Sequence, residues 1–376
     1  MGLVCALALN ACSGEPVSTM SQTQAITGAT ALLGDAQTPV TDAVVLIEGT
    51  SIVAAGTHEE VPIPEGARVI DASGATLVPG FIDAHVHIGF YEPSEILEGG
   101  VTTVRDLAWP PALIAELVQR SAADGYDGPT IIAAGPMLTA PGGYPTKAGW
   151  APPGTGVEVA APGDALAAVN AVADEGFAIV KVALNPPVGP VLDRATLSAI
   201  VDAAHERGLK VTGHIWGLSE LEKAIDAGVD ELAHMLMSNE PLPRRTIERM
   251  IDARMTIVPT LSIFAGAELR TAISNLYEFR KAGGSVIYGT DLGNAGPRPG
   301  IDAQEVSAMS QAGMTPLEII RSATFDAAAY LGLTSVGHIS VGMDADLVLL
   351  QGSPLEDVRD LTRVSMVWRR GTLREK

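Results

Sequence analysis

Eight short apolar runs recur through the middle of the chain: "ATLVPGFIDAHVHI", "VTTVRDL", "TIIAAGPML", "AIVKVAL", "LKVTGHI", "VDELAHM", "TIVPTL" and "SVIYGTD". Helix-like stretches such as "DRATLSAIVDAAHERG" and "LSELEKAIDAG" lie between most of them. Strands alternating with helices predict a parallel sheet. Eight such units predict an α/β fold closed into a (β/α)8 TIM barrel, with functional residues at the C-terminal ends of the strands. A chain of 376 residues suits one such barrel with a small added domain, and a hydrophobic fraction of 47% supplies its core.

The two ends have a different texture. Residues 24–80 carry short apolar runs broken by Gly, Asp, Thr and Pro, among them "AITGATALL" and "AVVLIEGTSIVAAG". "GHISVGMDADLVLLQGSP" and "VSMVWRRGTL" repeat that texture near the other end. Such runs predict short antiparallel strands with tight turns. The expected division is a leader and linker over 1–23, a small β-sandwich domain from 24–80 plus 331–376, and the barrel over 81–330.

Cys5 and Cys12 are the two cysteines of the chain. The folded body therefore has no disulfide and no Cys-held metal. The leader "MGLVCALALNAC" resembles the end of a bacterial lipoprotein signal, with "LNAC" as the lipobox and Cys12 as the lipidated residue. It departs from that pattern in having no Lys or Arg before the apolar stretch. The expectation is a lipid-anchored protein of the bacterial cell envelope, or a cytoplasmic one if the leader is not a signal. A formal net charge of −20 argues against nucleic acid or an anionic membrane face as a partner. The expected partner is a small-molecule amide or peptide substrate, with the membrane reached only through Cys12. A homo-oligomer is left open.

The chemistry is concentrated at the strand ends. His85 and His87 end the first run, Lys181 lies inside the fourth, His214 ends the fifth, His234 the sixth and Asp291 the eighth. Residues i and i+2 share one side of a strand, so His85 and His87 point together into the barrel mouth. A lone interior histidine is usually a core residue with a satisfied hydrogen bond. Four of them with an aspartate, all at strand ends, are instead suitable ligands for zinc. Lys181, within "AIVKVAL", buries an ammonium at a cost unless it is paired or altered. Beside metal ions a neutral lysine reacts with carbon dioxide to give a carbamate, whose two oxygens can bridge two metals. The alternative is a lysine snorkelling to the mouth or paired with Asp291.

These stretches, together with "GGVTTVRDL", "YGTDLG" and "VGMDADLVLL", resemble the amidohydrolase superfamily over nearly the whole chain from residue 24. The resemblance is closest to its imidazolonepropionase-like and Xaa-Pro dipeptidase-like branch. It implies a centre of two divalent metal ions, zinc by preference. His85, His87 and Asp291 would hold one ion, His214 and His234 the other, and carbamylated Lys181 would bridge them. It implies hydrolysis of an amide, peptide, lactam or ester bond by a metal-bridging hydroxide. Asp291 would then be the proton carrier.

Departures from the family bear on the substrate. Tyr144 in "APGGYPTKAGW" stands where relatives often have histidine, and Trp216 where they often have tyrosine. Tyr144 is the expected donor to the oxyanion, and Trp216 the expected wall of an apolar subsite. The segment after His87 is short, which predicts an open mouth. Lys147, Arg105 and Arg298 are the cations expected within reach of a ligand carboxylate, Arg298 first because guanidinium pairs carboxylates in bidentate fashion. The expected substrate is an N-acyl amino acid or dipeptide. Competing readings are a lactonase or phosphotriesterase using the same centre, a mononuclear cyclic-amide hydrolase (against which Lys181 argues), and an inactive ligand-binding lipoprotein.

Overall fold

The structure, a computed structural model, describes residues 22–123 and 125–375. The leader cysteines, Cys5 and Cys12, lie outside the described residues.

The two ends of the chain meet in one eight-stranded sheet. Its strands run in the spatial order Thr372–Glu375, Val364–Arg369, Leu347–Gln351, Ala75–Pro79, Gln24–Leu33, Thr38–Glu48 and Ser51–Thr57, with Arg68–Asp71 also paired to Gln24–Leu33. A sandwich of separate sheets, the arrangement expected from the sequence, is not what the hydrogen bonds draw. The strand Gln24–Leu33 is the reason. Its register with Thr38–Glu48 shifts twice near Ala29, so it bends and serves two neighbours along one edge without breaking the ladder. Gly28 at the bend has φ +80 and lies so close to Ser73 that a Cβ would stand 2.5 Å from its Oγ. Ile26, Val45, Leu77, Leu347, Leu349 and Trp368 fill the core of this sheet.

The chain passes from Ala75–Pro79 through Gly80 straight into the strand Phe81–Val86. A Cβ at Gly80 would meet the Thr102 side chain at 2.1 Å, so no larger residue fits this passage. From here the molecule is α/β with parallel sheets. One ladder holds Phe81–Val86, Val101–Asp106 and Thr130–Ala133. The other runs Gly156–Glu158, Met137–Thr139, Ile179–Leu184, Lys210–Ile215, Glu231–Leu232, Thr256–Ile257 and Ser285–Val286. The continuous closed ladder of the expected barrel is not formed. Three of the paired strands are only two residues long, and the neighbouring backbone turns irregular where the functional side chains emerge. Single backbone bonds still join the ladders: Ala178 N donates to Ala133 O, and Ala84 N to Tyr288 O.

The helices follow from simple periodicity. In Arg194–Glu206 the residues Leu197, Ile200, Val201 and Ala204 form one buried stripe at i, i+3, i+4 and i+7. Asp193 caps that helix, accepting from Thr196 N at 2.7 Å. The strand "IVKVAL" is buried on both faces, as a sheet covered by helices requires.

Candidate metal centre

His85 lies in the strand Phe81–Val86 and His87 directly after it, and both imidazoles reach one cavity. His85 Nδ1 lies 2.6 Å from the carbonyl oxygen of Ala233, so Nδ1 carries the proton and Nε2 faces the cavity as a lone pair. His85 Nε2 stands 3.3 Å, and His87 Nε2 3.2 Å, from Asp291 Oδ1. The backbone of "YGTDLG" sets this meeting: Asp291 N donates to His85 O, and His87 N to Leu292 O. Ligand atoms of His85, His87 and Asp291 all fall within 4.8 Å of one another.

A second group adjoins the first. His234 Nδ1 lies 2.8 Å from Met235 O, which leaves Nε2 facing His214 Nδ1 at 2.8 Å. Asn185 Nδ2 meets His214 Nε2 at 3.0 Å. With His85 and His234 protonated at Nδ1, their Nε2 atoms have the form a cation needs, each fixed by a backbone carbonyl. Lys181 is fully buried in this cavity.

Burial sets the charges. It lowers His85 and His214 well below the ordinary histidine value and brings His234 to about 4. Burial pushes the Lys181 ammonium down to about 8. Burial opposes the ionisation of Asp291, but His85, His87 and His234 outweigh it and hold the carboxyl well below its ordinary range. Burial works against protonation of His87 too, and there the Asp291 carboxylate wins and raises it. Desolvation raises the Tyr144 phenol, so its proton stays on.

The cavity measures about 150 Å³. It brings together His85, His87, Tyr144, Lys181, His214, His234 and Asp291. Its lining also includes Met137, Asn185, Met237, Ile263 and Asn294, which the sequence reading did not single out. Asn185 directly follows the strand Ile179–Leu184 that carries Lys181.

Four expected substrate contacts do not line the cavity. Arg105 is wholly buried elsewhere, its Nη2 donating to Glu231 Oε1 and its Nε to Ala84 O, each at 2.7 Å. Arg298 is exposed, and its backbone N donates to Asp302 Oδ2 at 3.0 Å. Lys147 is exposed, with its Nζ folded toward Gly142. Trp216 falls outside because the chain leaves the strand at Ile215 and turns at Gly217 into the helix Leu218–Ala227, so alternation no longer applies. Trp150 does not line the cavity either, but it packs against two residues that do, its ring 5.3 Å from His87 and 6.1 Å from Tyr144. Elsewhere, His205 faces Asp230 on an exposed helix and His338 packs edge-on against Phe325.

The amidohydrolase family profile matches residues 76–374. Ochratoxinase of Aspergillus niger is 26% identical over 423 residues, covering 90% of this chain and 84% of its own. Enamidase of Eubacterium barkeri is 25% identical over 352 residues, covering 86% of each. A crystal structure of an Xaa-Pro dipeptidase with bound methionine superposes with a TM-score of 0.80 at 22% identity, over 94% of this chain and 100% of that one.

Proposed function

The chain belongs to the amidohydrolase family, and from that premise we propose that it is a metal-dependent hydrolase of amide C–N bonds, with the cavity around Lys181 as its reaction centre. The observation that carries this reading is a set of orphaned atoms. His85 Nε2, Lys181 Nζ and Asp291 Oδ1 are buried, line one cavity and have no hydrogen-bond partner. Buried polar groups are nearly always partnered, so a convergent set without partners fits a cation. Imidazole and carboxylate donors suit zinc.

In this reading His85, His87 and Asp291 would hold one ion and His214 and His234 a second, and a carbamate on Lys181 would supply a further anionic ligand. Carbamylation needs the neutral amine, which burial favours. Nζ adds to the carbon of carbon dioxide, a C=O electron pair moves to oxygen, and one proton leaves the nitrogen. When bound, the two cations supply Lewis acidity toward the scissile carbonyl and lower the pKa of water. Asp291 accepts the proton of the attacking water and delivers it to the departing nitrogen. Tyr144, with its proton retained, donates a hydrogen bond to the oxyanion. We also read the two parallel ladders as arcs of one (β/α)8 barrel, a reading supported by the backbone bonds at Ala84 and Ala178.

One relative carries the name enamidase, which supports the same class here. An N-acyl amino acid or dipeptide would need a cation facing its carboxylate. Among the described residues Lys181 is the one Lys or Arg that lines the cavity, and it faces the ligand set. The reading therefore keeps the amide and drops the carboxylate clamp. The test is a panel of amides, lactones and phosphotriesters offered to zinc-loaded protein. Turnover of amides supports the proposal. Turnover confined to lactones or phosphotriesters, or no turnover, overturns it.

A further inference from the structure

We infer that the substrate is a neutral amide bearing an aromatic ring, and that Trp150 is the residue that selects it. This deepens the amide-hydrolase reading and rests on it.

The cavity is too small to hold a whole substrate. Its volume of about 150 Å³ is close to that of an apolar cavity that accommodates a single benzene. Here the same space must also admit the reacting carbonyl among the polar ligand set. The rest of the substrate therefore lies across the rim.

An aromatic cluster adjoins the cavity, with Tyr144 in the lining itself and Trp150 packed against the lining residues His87 and Tyr144. Only 4% of the residues of this chain are Phe, Trp or Tyr, yet four of them stand side by side here. Trp150 lies 5.3 Å from His87, 6.1 Å from Tyr144 and 6.2 Å from Phe90, measured between ring centres. Phe90 in turn meets Trp109 edge-on at 5.2 Å. Tyr144 stacks on His214 at 4.7 Å, which carries the wall into the cavity. Phe90 remains 43% exposed. The exposed surface of Phe90, beside two tryptophans and next to residues that line a polar cavity, is apolar area that a substrate ring can cover.

The wall is held in place before any ligand arrives. A Cβ at Gly89 would stand 2.3 Å from Trp109 Cζ2, so the indole lies directly on that backbone. A Cβ at Gly293 would come within 3.2 Å of Phe90 Cδ2 and 2.7 Å of the His87 Cβ. Pre-formed walls bind rings with little ordering cost.

Charge points the same way. No cation lines the cavity beyond Lys181, among the described residues, while Asp291 contributes an anion. Arg105 is neutralised by Glu231. The protein as a whole carries −20. A substrate carboxylate finds no side-chain cation beyond Lys181 to pair with in the lining, among the described residues, whereas a neutral substrate needs none. Hydrolysis needs nothing further: water oxygen bonds to the carbonyl carbon, the C–N bond breaks with its electrons to nitrogen, and the amine takes up the proton.

The experiment uses full-length, zinc-loaded protein and three amides: 4-nitroacetanilide, N-acetyl-phenylalanine and N-methylacetamide. The neutral aryl amide should exceed both others in kcat/KM by about tenfold or more. In Trp150→Ala that aryl preference should fall about tenfold, carried by KM rather than kcat, and Trp150→Phe should restore most of it. Preference for the acid, or an aryl preference that survives Trp150→Ala, overturns the inference and leaves the hydrolase reading standing. If no amide is cleaved, the hydrolase reading fails. Quenching of tryptophan fluorescence by 4-nitroacetanilide then decides the ring site: it should saturate in the parent and be lost in Trp150→Ala. Absence of saturable quenching in the parent overturns the ring site as well.

Discussion

Two clusters of buried charge share the interior of the parallel sheets, and they are settled in opposite ways. One is Arg105 with Glu231, both completely buried, joined by a 2.7 Å bond and supported by Thr212. Each keeps one atom without a partner, but their charges cancel. The other lines the candidate metal centre, where His85 Nε2, Lys181 Nζ and Asp291 Oδ1 have no hydrogen-bond partner. The clusters touch through one rung of the ladder, where Lys181 registers with Thr212 and Thr212 with Glu231. Placed so close together, they were folded under the same physical rules. The chain neutralises a buried charge where a partner within the chain is at hand. Where it leaves several polar atoms open around one space, that space is built for a ligand.

The largest expected effect separates the two clusters directly. Lys181→Ala should lower kcat/KM by about 10⁴-fold or more, roughly 5 kcal/mol, with the fold retained by circular dichroism. Short carboxylic acids should restore part of that loss by standing in for the carbamate. Full activity in Lys181→Ala would erase the distinction.

The ionic cluster should respond in stability. Glu231→Ala leaves the Arg105 guanidinium buried alone and should cost about 3–5 kcal/mol in urea unfolding. Replacing both partners together, Arg105→Met with Glu231→Leu, should cost far less, because no unpaired charge remains. A double variant as unstable as Glu231→Ala would show that the pair is more than mutual neutralisation.

Asn185 probes the boundary of the ligand set. Its Nδ2 meets His214 Nε2 and its Oδ1 is buried without a partner. An amide that orients a ligand imidazole should be worth about 10–100-fold in metal affinity, or roughly 1.4–2.7 kcal/mol. Asn185→Ala should therefore lose zinc to a chelator at correspondingly lower concentration. Unchanged chelator midpoints would remove Asn185 from the site.

Glu305 sharpens the rule through its exception. It is buried, one oxygen accepts from Ser262 N at 2.7 Å, and the other has no partner. It stands alone rather than in a convergent set, and burial raises it from 4.5 to about 8, so the carboxyl is largely protonated at neutral pH. The folded state holds this proton more tightly than the unfolded chain does. Its contribution is complete below about 4.5 and fades as pH rises through about 8. Stability should decline between those limits by at most about 1.4 kcal/mol per pH unit. Glu305→Gln should flatten that decline in urea unfolding followed across pH, and an unchanged slope would contradict the assignment.

The meeting of His85, His87 and Lys181 at one cavity was legible in the sequence for a simple reason. Alternation predicts that "HVH" places two imidazoles on one side, and both do reach one cavity although the strand ends at Val86; a lysine inside "IVKVAL" is buried as expected. The substrate wall was not legible because it belongs to loops. Trp150 reaches His87 from residues 140–155, where no periodicity fixes direction, and Trp216 turns away just where its strand stops. Arg105 was misread for a third reason. Its place near the end of "TTVRD" suggested the mouth, but its partner Glu231 is 126 positions away in the sequence, and only the folded register brings them together. The closed ladder fails at two seams, beside Thr130–Ala133 and beside Phe81–Val86, where single backbone bonds stand in place of a paired strand, a detail that apolar runs do not reveal.

The most direct test of the ligand set is the metal content of the purified chain after reconstitution with zinc and dialysis, read by elemental analysis. About two ions per chain should remain in the parent, and His87→Ala and His234→Ala should each retain fewer, with their folds intact. Retention of no zinc by the parent would contradict the claim that this cavity is built around metal, and retention of a single ion would contradict the two-ion reading.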